Sequence, residues 1–214
     1  MQTQALLDRR QAPAGRPFGL AFYEGMLWSG SWDTEKIYAI DTADWSVRAE
    51  IQAPGRPYGM AVDGDALRVV IAHGEEDDRY LYRMTRDGFD LGSKRPCPEL
   101  TGSFLASNGS ALYLAQMHMH RILELQSDGS IAREIEFPTP RCAGLAFGSH
   151  GRFHMIAADE EFENLVLGMI DVAQDAPHFE AVVALPDSAR CLLYDGARWW
   201  TSLRDAGELA AFTV

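Results

Sequence analysis

The chain has 214 residues, 47% of them hydrophobic, with a net charge of −12 and three cysteines. That composition belongs to a globular domain with a sizeable core rather than to a disordered segment. The acidity argues against a nucleic-acid partner and against an anionic membrane surface, and its plain consequence is solubility.

No run reaches the roughly 18 apolar residues of a membrane helix. Residues Met1 to Gln11 lack the basic start, long apolar middle and small-residue cleavage site of a signal peptide. Cys97, Cys142 and Cys191 are odd in number and widely spaced, which fits a reducing, cytoplasmic compartment. Cys142 and Cys191 open the inner segments of neighbouring repeats and read as small buried residues.

In chain order, the first segment is residues 5–12, which leads into Pro13 through Gln11-Ala12-Pro13. The first full repeat follows: Arg16-Pro17-Phe18-Gly19-Leu20-Ala21-Phe22, then Gly25-Met26-Leu27-Trp28, then Lys36-Ile37-Tyr38-Ala39-Ile40-Asp41. It returns as Arg56-Pro57-Tyr58-Gly59-Met60-Ala61-Val62 with Leu67 in the place of Leu27. Weaker copies are Phe104-Leu105-Ala106 with Leu112-Tyr113, Arg141-Cys142-Ala143-Gly144-Leu145-Ala146-Phe147 with Phe153, and Cys191-Leu192-Leu193 with Trp199-Trp200. A period of about 40 to 45 residues is that of β-propeller blades. Glu24-Gly25, Asp63-Gly64, Asn108-Gly109 and Asp195-Gly196 are hairpin dipeptides between the first two strands of a blade. Asp44-Trp45 and Asp128-Gly129 sit where the last hairpin of a blade belongs, and no segment shows a helical period.

The pattern predicts an all-β, single-domain, five-bladed β-propeller with four antiparallel strands per blade. The blades run over about 13–53, 54–99, 100–137, 138–185, and 186–214 completed by 5–12. The last assignment rests on Gln52-Ala53-Pro54, which ends the first blade as Gln11-Ala12-Pro13 ends the N-terminal segment. Three strands after Cys191 need a fourth, and the N-terminal segment supplies it and seals the open edge.

The unit Pro-x-Gly-Leu-Ala, Gly-x-Leu-Trp, Ile-Tyr-x-Ile-Asp resembles the blade signature of two propeller groups. One is the gluconolactonase/senescence-marker family, the other the streptogramin lyase-like family. The resemblance implies a divalent metal at the channel mouth and either hydrolysis of a lactone or phosphotriester or a ring-opening elimination.

In a propeller the innermost strand runs along the channel and the loops after the second strand share one mouth. With the blades aligned on Leu27, Leu67, Leu112, Phe153 and Arg198, the residue six positions on is Asp33, His73, His118, Asp159 and Arg204. Four of these are metal-ligand types, with His120 two residues beyond His118. The set suits Zn²⁺ best, with Mn²⁺, Fe²⁺ or Ca²⁺ as alternatives. The competing reading is of polar residues on exposed loop tops. Arg16, Arg56 and Arg141 precede the inner strand of their blades, with Arg190 near the comparable place. They read either as an anion-holding rim or as ion-pair staples between blades. Glu75 is the candidate general base and Arg204 the candidate for stabilising charge on oxygen. Trp32, Phe18, Tyr58 and Met117 are candidates for an apolar wall facing a small-molecule substrate. His154 aligns with Trp28 and reads as a packed residue between blades. The first functional expectation is therefore a metal-dependent hydrolase of a small ester, lactone or phosphotriester. A metal-dependent lyase and a non-catalytic binding propeller are the alternatives, and the sequence leaves oligomeric state open.

Overall fold

The computed structural model describes residue 5 and residues 7–172 and 177–214. The segment 5–12 therefore includes one residue, position 6, outside the described part. Five four-stranded antiparallel sheets form the five blades. Strand β1 (Asp8–Gln11) comes first and belongs to the last blade. The first blade is β2 (Pro17–Tyr23), β3 (Met26–Ser31), β4 (Lys36–Ile40) and β5 (Val47–Gln52). The second is β6 (Arg56–Asp63), β7 (Ala66–His73), β8 (Asp78–Thr85) and β9 (Gly88–Pro96). The third is β10 (Phe104–Ser107), β11 (Leu112–Gln116), β12 (Arg121–Leu125) and β13 (Ile131–Glu136). The fourth is β14 (Arg141–Phe147), β15 (Phe153–Ala158), β16 (Leu165–Asp171) and β17 (His178–Leu185). The fifth is β18 (Ala189–Tyr194), β19 (Trp199–Leu203) and β20 (Glu208–Phe212), with β1 outermost. The only helical pieces among the described residues are four three-residue 3-10 turns. None is long or apolar enough to cross a membrane.

The expected hairpins form for the expected reason. Glu24 and Gly25 both take positive φ (50° and 76°), the geometry that matches the right-handed twist of the strands on either side. Inner strands are buried over nearly their whole length and outer strands are mostly exposed, as β2 and β5 show. The two sides of each blade pack against its neighbours. Leu67, Val69 and Ile71 of β7 meet Trp28, Ile37 and Ala39 of the first blade in one apolar cluster. Each fully buried side chain of this size contributes about 1.5–3 kcal/mol.

The expected closure by the N-terminal strand is present. β1 pairs with β20 from Asp8↔Ala211 to Gln11↔Glu208. The Ala12 N–H donates to Gly207 O (2.9 Å) as the Ala53 N–H donates to Glu35 O (2.9 Å). The repeated Gln-Ala-Pro thus marks the same backbone hydrogen bond in two blades. Trp45 fastens the seam, donating from Nε1 to Gln11 O (2.7 Å) and stacking on Trp200 (6.1 Å, 14°).

A bulge interrupts the pairing of the two innermost strands in four blades, at Gly19, near Gly59, between Cys142 and Gly144, and at Cys191; the third blade has none. Gly19 (φ 76°) has to lack a Cβ, because the next blade's Tyr58 carbonyl lies where it would be. Cys191 adopts the same left-handed backbone (φ 62°) and accepts the Gly19 N–H on Sγ (2.9 Å). The blades therefore approach backbone to backbone around the axis. The space on the axis there is about 10 Å³, between Gly19, Gly59, Leu145 and Cys191. That is about the size of one water, so nothing as large as an organic ligand passes this waist from the mouth above it.

Candidate functional site

Above the waist lies a blind cup of about 280 Å³. Its floor comes from one repeat position on the inner strands: Phe18, Tyr58, Phe104 and Arg190. Its upper wall comes from the loops after the second strands: Trp32, Asp77, Met117, His118, Phe162 and Arg204. Arg79 from β8 and Ser103 complete it. The aromatic floor is self-supporting. Phe18 stacks between Trp32 (4.7 Å) and Phe104 (5.5 Å), with Tyr58 edge-on to it (5.2 Å). The Trp32 Nε1–H donates to Pro57 O (2.7 Å), which fixes the indole.

The charged groups divide into two kinds. Arg79 is held within the protein: Nη2 donates to Asp77 Oδ2 (2.7 Å), Nε to Gly102 O (3.2 Å), and its guanidinium lies 3.5 Å from the Tyr58 ring centroid. Arg190 differs. It is 9% exposed, and its Nη1 donates to the carbonyls of Asp187 (2.8 Å) and Ala189 (2.7 Å). Among the described residues no carboxylate forms an ion pair with it. The Phe162 ring covers it at 4.7 Å. Burial first, and the Arg204 charge second, press its pKa below the ordinary arginine value. A buried cation without a counter-ion is costly unless something supplies one. Arg204 stands beside it, with its Nε on Asp205 (3.2 Å) and its guanidinium 5.5 Å from the Trp32 ring.

The residues expected to bind a metal do not form one cluster. Among the described residues, no group of three His, Cys, Asp or Glu side chains is placed to hold a metal ion. His118 lines the cup. His73 faces the first blade instead, its Nε2 bonded to Tyr82 Oη (2.9 Å) and its ring edge-on to Tyr80 (5.3 Å). Alternation along the strand explains this. β7 stays paired through His73, so His73 falls in step with Leu67, Val69 and Ile71 on the interblade face. Burial lowers its pKa, with Lys94 adding to the effect. His120 does not share a face with His118 because residues 117–119 form a 3-10 turn. His120 ends that turn in the left-handed region (φ 53°), its carbonyl accepts the Phe137 N–H (2.9 Å), and its Nε2 meets Arg141 (3.2 Å). Asp33 lies at the limit of an ion pair with Arg16 (4.0 Å). Asp159 organises its own loop, accepting from the Glu163 N–H (2.8 Å) and from the Asn164 amide, and the amide bond lowers its pKa. With His73, His120 and Asp159 bonded elsewhere and Asp33 turned to Arg16, the five residues do not fit one ion.

The other candidates separate in the same way. Trp32 and Arg204 line the cup. Arg16 and Arg56 lie 5.0 and 5.8 Å from the Trp32 ring centroid without lining the cup themselves, and Arg56 also meets Asp77 (3.5 Å). Arg141 pairs with Glu160 (2.6 Å) inside its own blade, so it is neither part of the cup nor an ion-pair staple between blades. Glu75 is an exposed turn residue outside the cup wall. His154 is packed between blades as expected, 4.6 Å from the Trp199 ring with Nδ1 on Arg152 O (2.9 Å). All three cysteines are buried and free. Arg79, Asp77, Ser103, Phe104 and Phe162 are the wall residues not anticipated.

No family model matches the chain, and no curated protein does either. Solved structures do match. A streptogramin B lyase shares 14% identity over 98% of this chain and 87% of its own, with a TM-score of 0.56. A putative gluconolactonase shares 14% over 100% and 83%, at 0.62. Glutaminyl cyclase from Myxococcus xanthus shares 11% over 100% and 98%, at 0.66. The resemblance read from the blade motifs is thus met in solved structures, and at these identities the likeness is one of fold.

Proposed function

We propose that the protein works through the channel-mouth cup, which binds a small organic anion with an aromatic or otherwise planar body. The observation that carries this is Arg190: a guanidinium 9% exposed, without a carboxylate partner among the described residues, on the wall of a blind cavity. Arg204 adds a second charge, and the Phe18, Trp32, Tyr58 and Phe104 rings offer apolar contact. A mostly apolar pocket with a few convergent polar groups is the usual form of a small-molecule site.

This puts the binding propeller ahead of the metal-dependent hydrolase, since only His118 of the expected ligands lines the cup. One observation favours a catalytic variant of the same site. The His118 imidazole shares the cavity with Arg190 and Arg204, so it is placed to move a proton while they hold charge developing on an oxygen. Hydrolysis or elimination would both use that arrangement.

The test is calorimetric titration with benzoate, before and after treatment with a chelator. One saturable site is expected, unchanged by chelation, retained in part by Arg190→Lys and lost in Arg190→Met. Unaltered affinity in a folded Arg190→Met protein refutes the reading. Affinity that disappears on chelation and returns with Zn²⁺ restores the metal proposal.

A further inference from the structure

Arg190 and Arg204 together carry more uncommitted hydrogen-bond donors than a carboxylate can use. A guanidinium has five N–H donors. Arg190 commits Nη1 to two backbone carbonyls, leaving the three donors of Nε and Nη2 without a protein acceptor among the described residues. Arg204 commits only Nε, to Asp205, leaving the four donors of its two terminal nitrogens. Charge follows the same pattern. Of the charged groups lining the cup, Arg79 and Asp77 neutralise one another (2.7 Å), which leaves Arg190 with no carboxylate among the described residues and Arg204 with a single exposed ion pair to Asp205 (3.2 Å). Asp205 is 67% exposed on its side chain and is not part of the wall. A carboxylate brings one charge and two oxygens. A phosphate monoester brings nearly two charges at neutral pH and three acceptor oxygens.

We propose that the group held between Arg190 and Arg204 is the dianionic phosphoryl head of an aryl phosphate monoester, whose ring lies against Trp32 and the Phe18–Phe104 stack. This rests on the anion-binding reading of the cup and names its ligand class. Arg190 is the buried anchor, and Phe162, 4.7 Å over its guanidinium, shields that contact from water. Arg204, part-exposed at the rim, is the residue that distinguishes a second negative charge.

The experiment compares four probes at pH 8: phenyl phosphate, methyl phenyl phosphate, benzoate and inorganic phosphate. The diester keeps the ring and the phosphorus but carries a single charge, so it isolates charge from shape. Phenyl phosphate is expected to bind roughly tenfold more tightly than the diester or benzoate, the order of one added charge-assisted hydrogen bond. Inorganic phosphate is expected to bind more weakly than phenyl phosphate because it lacks the ring. Arg204→Met is expected to bring monoester and diester to the same affinity, and Arg204→Lys to keep part of the preference. Equal affinity of wild-type protein for the three aromatic anions overturns the phosphoryl assignment and leaves the anion cup standing. Inorganic phosphate as tight as phenyl phosphate overturns the aryl part. Failure of all four probes overturns both this inference and the reading beneath it.

Discussion

Replacing Gly19 by alanine tests the close approach of blades that closes the cup from below. Two costs are involved. The backbone there has φ 76°, where an L side chain costs roughly 1 kcal/mol. A Cβ would also collide with the Tyr58 carbonyl, 3.3 Å from its carbon, and would lie 3.1 Å from Met60 Cε. The collision is with backbone of the neighbouring blade, which cannot rotate away, and overpacking of this kind costs roughly 1–3 kcal/mol. Gly25 is the matched control: its φ is also 76°, but nothing lies within 4 Å of its virtual Cβ. Gly25→Ala should therefore lose only the backbone share, about 1 kcal/mol, and Gly19→Ala about 3 kcal/mol in all. At roughly 2–4 °C per kcal/mol for a domain of this size, Tm should fall by roughly 2–4 °C and 6–12 °C respectively. Scanning calorimetry of the two variants at one pH reads the difference directly. Equal losses would refute the wedge and with it the backbone contact at the channel waist.

Removing residues 1–12 should abolish a single cooperative melt or cause aggregation, because β20 would lose its partner over four residue pairs; an unchanged melting curve would refute closure by β1. His154 and His73 both have pKa values lowered by burial. As pH falls below the unfolded value of about 6.5, the unfolded chain takes up protons that the folded one resists, so stability present at pH 7.5 should be lost towards pH 5. Urea midpoints across that range should flatten in a His154→Phe variant, and an unaltered slope would contradict the assignment. Cys97, Cys142 and Cys191 have thiols that burial pushes up to about 12. An aromatic disulfide reagent should react with none of them in folded protein and with all three in urea.

The ring was legible because it is repeated. Turn dipeptides, alternating apolar residues and a duplicated Gln-Ala-Pro report local geometry, and local geometry repeated five times closes only one way. The cup was half legible. Trp32, Arg204, Phe18, Tyr58 and Met117 all come from positions that the repeat marks, and all line it. Two local features separate the positions aligned in the sequence from those the fold brings together. β7 is paired two residues further than its first-blade counterpart relative to Leu67 and Leu27, so the parity of the strand carries His73 away from the mouth. In the fifth blade Tyr194 pairs with Trp199 where Phe22 pairs with Leu27. The structural counterpart of Asp33 there is Asp205, and Arg204 corresponds to Trp32. The first error could have been avoided by counting alternation from Leu67. Arg79 and Phe162 gave no signal: one lies on a third strand, the other in a loop longer than its counterparts, and only the folded chain turns them inward.

The central claim is that a small anion sits in the cup with its charged head on Arg190. The direct measurement is anomalous diffraction from a crystal soaked in 4-bromobenzoate. The account predicts a single bromine peak within the cavity bounded by Phe18, Trp32, Tyr58 and Phe104, with carboxylate density against the Arg190 guanidinium and neither present in Arg190→Met. An empty cup in crystals whose bromine orders elsewhere, or the same peak in the Arg190→Met protein, would contradict it.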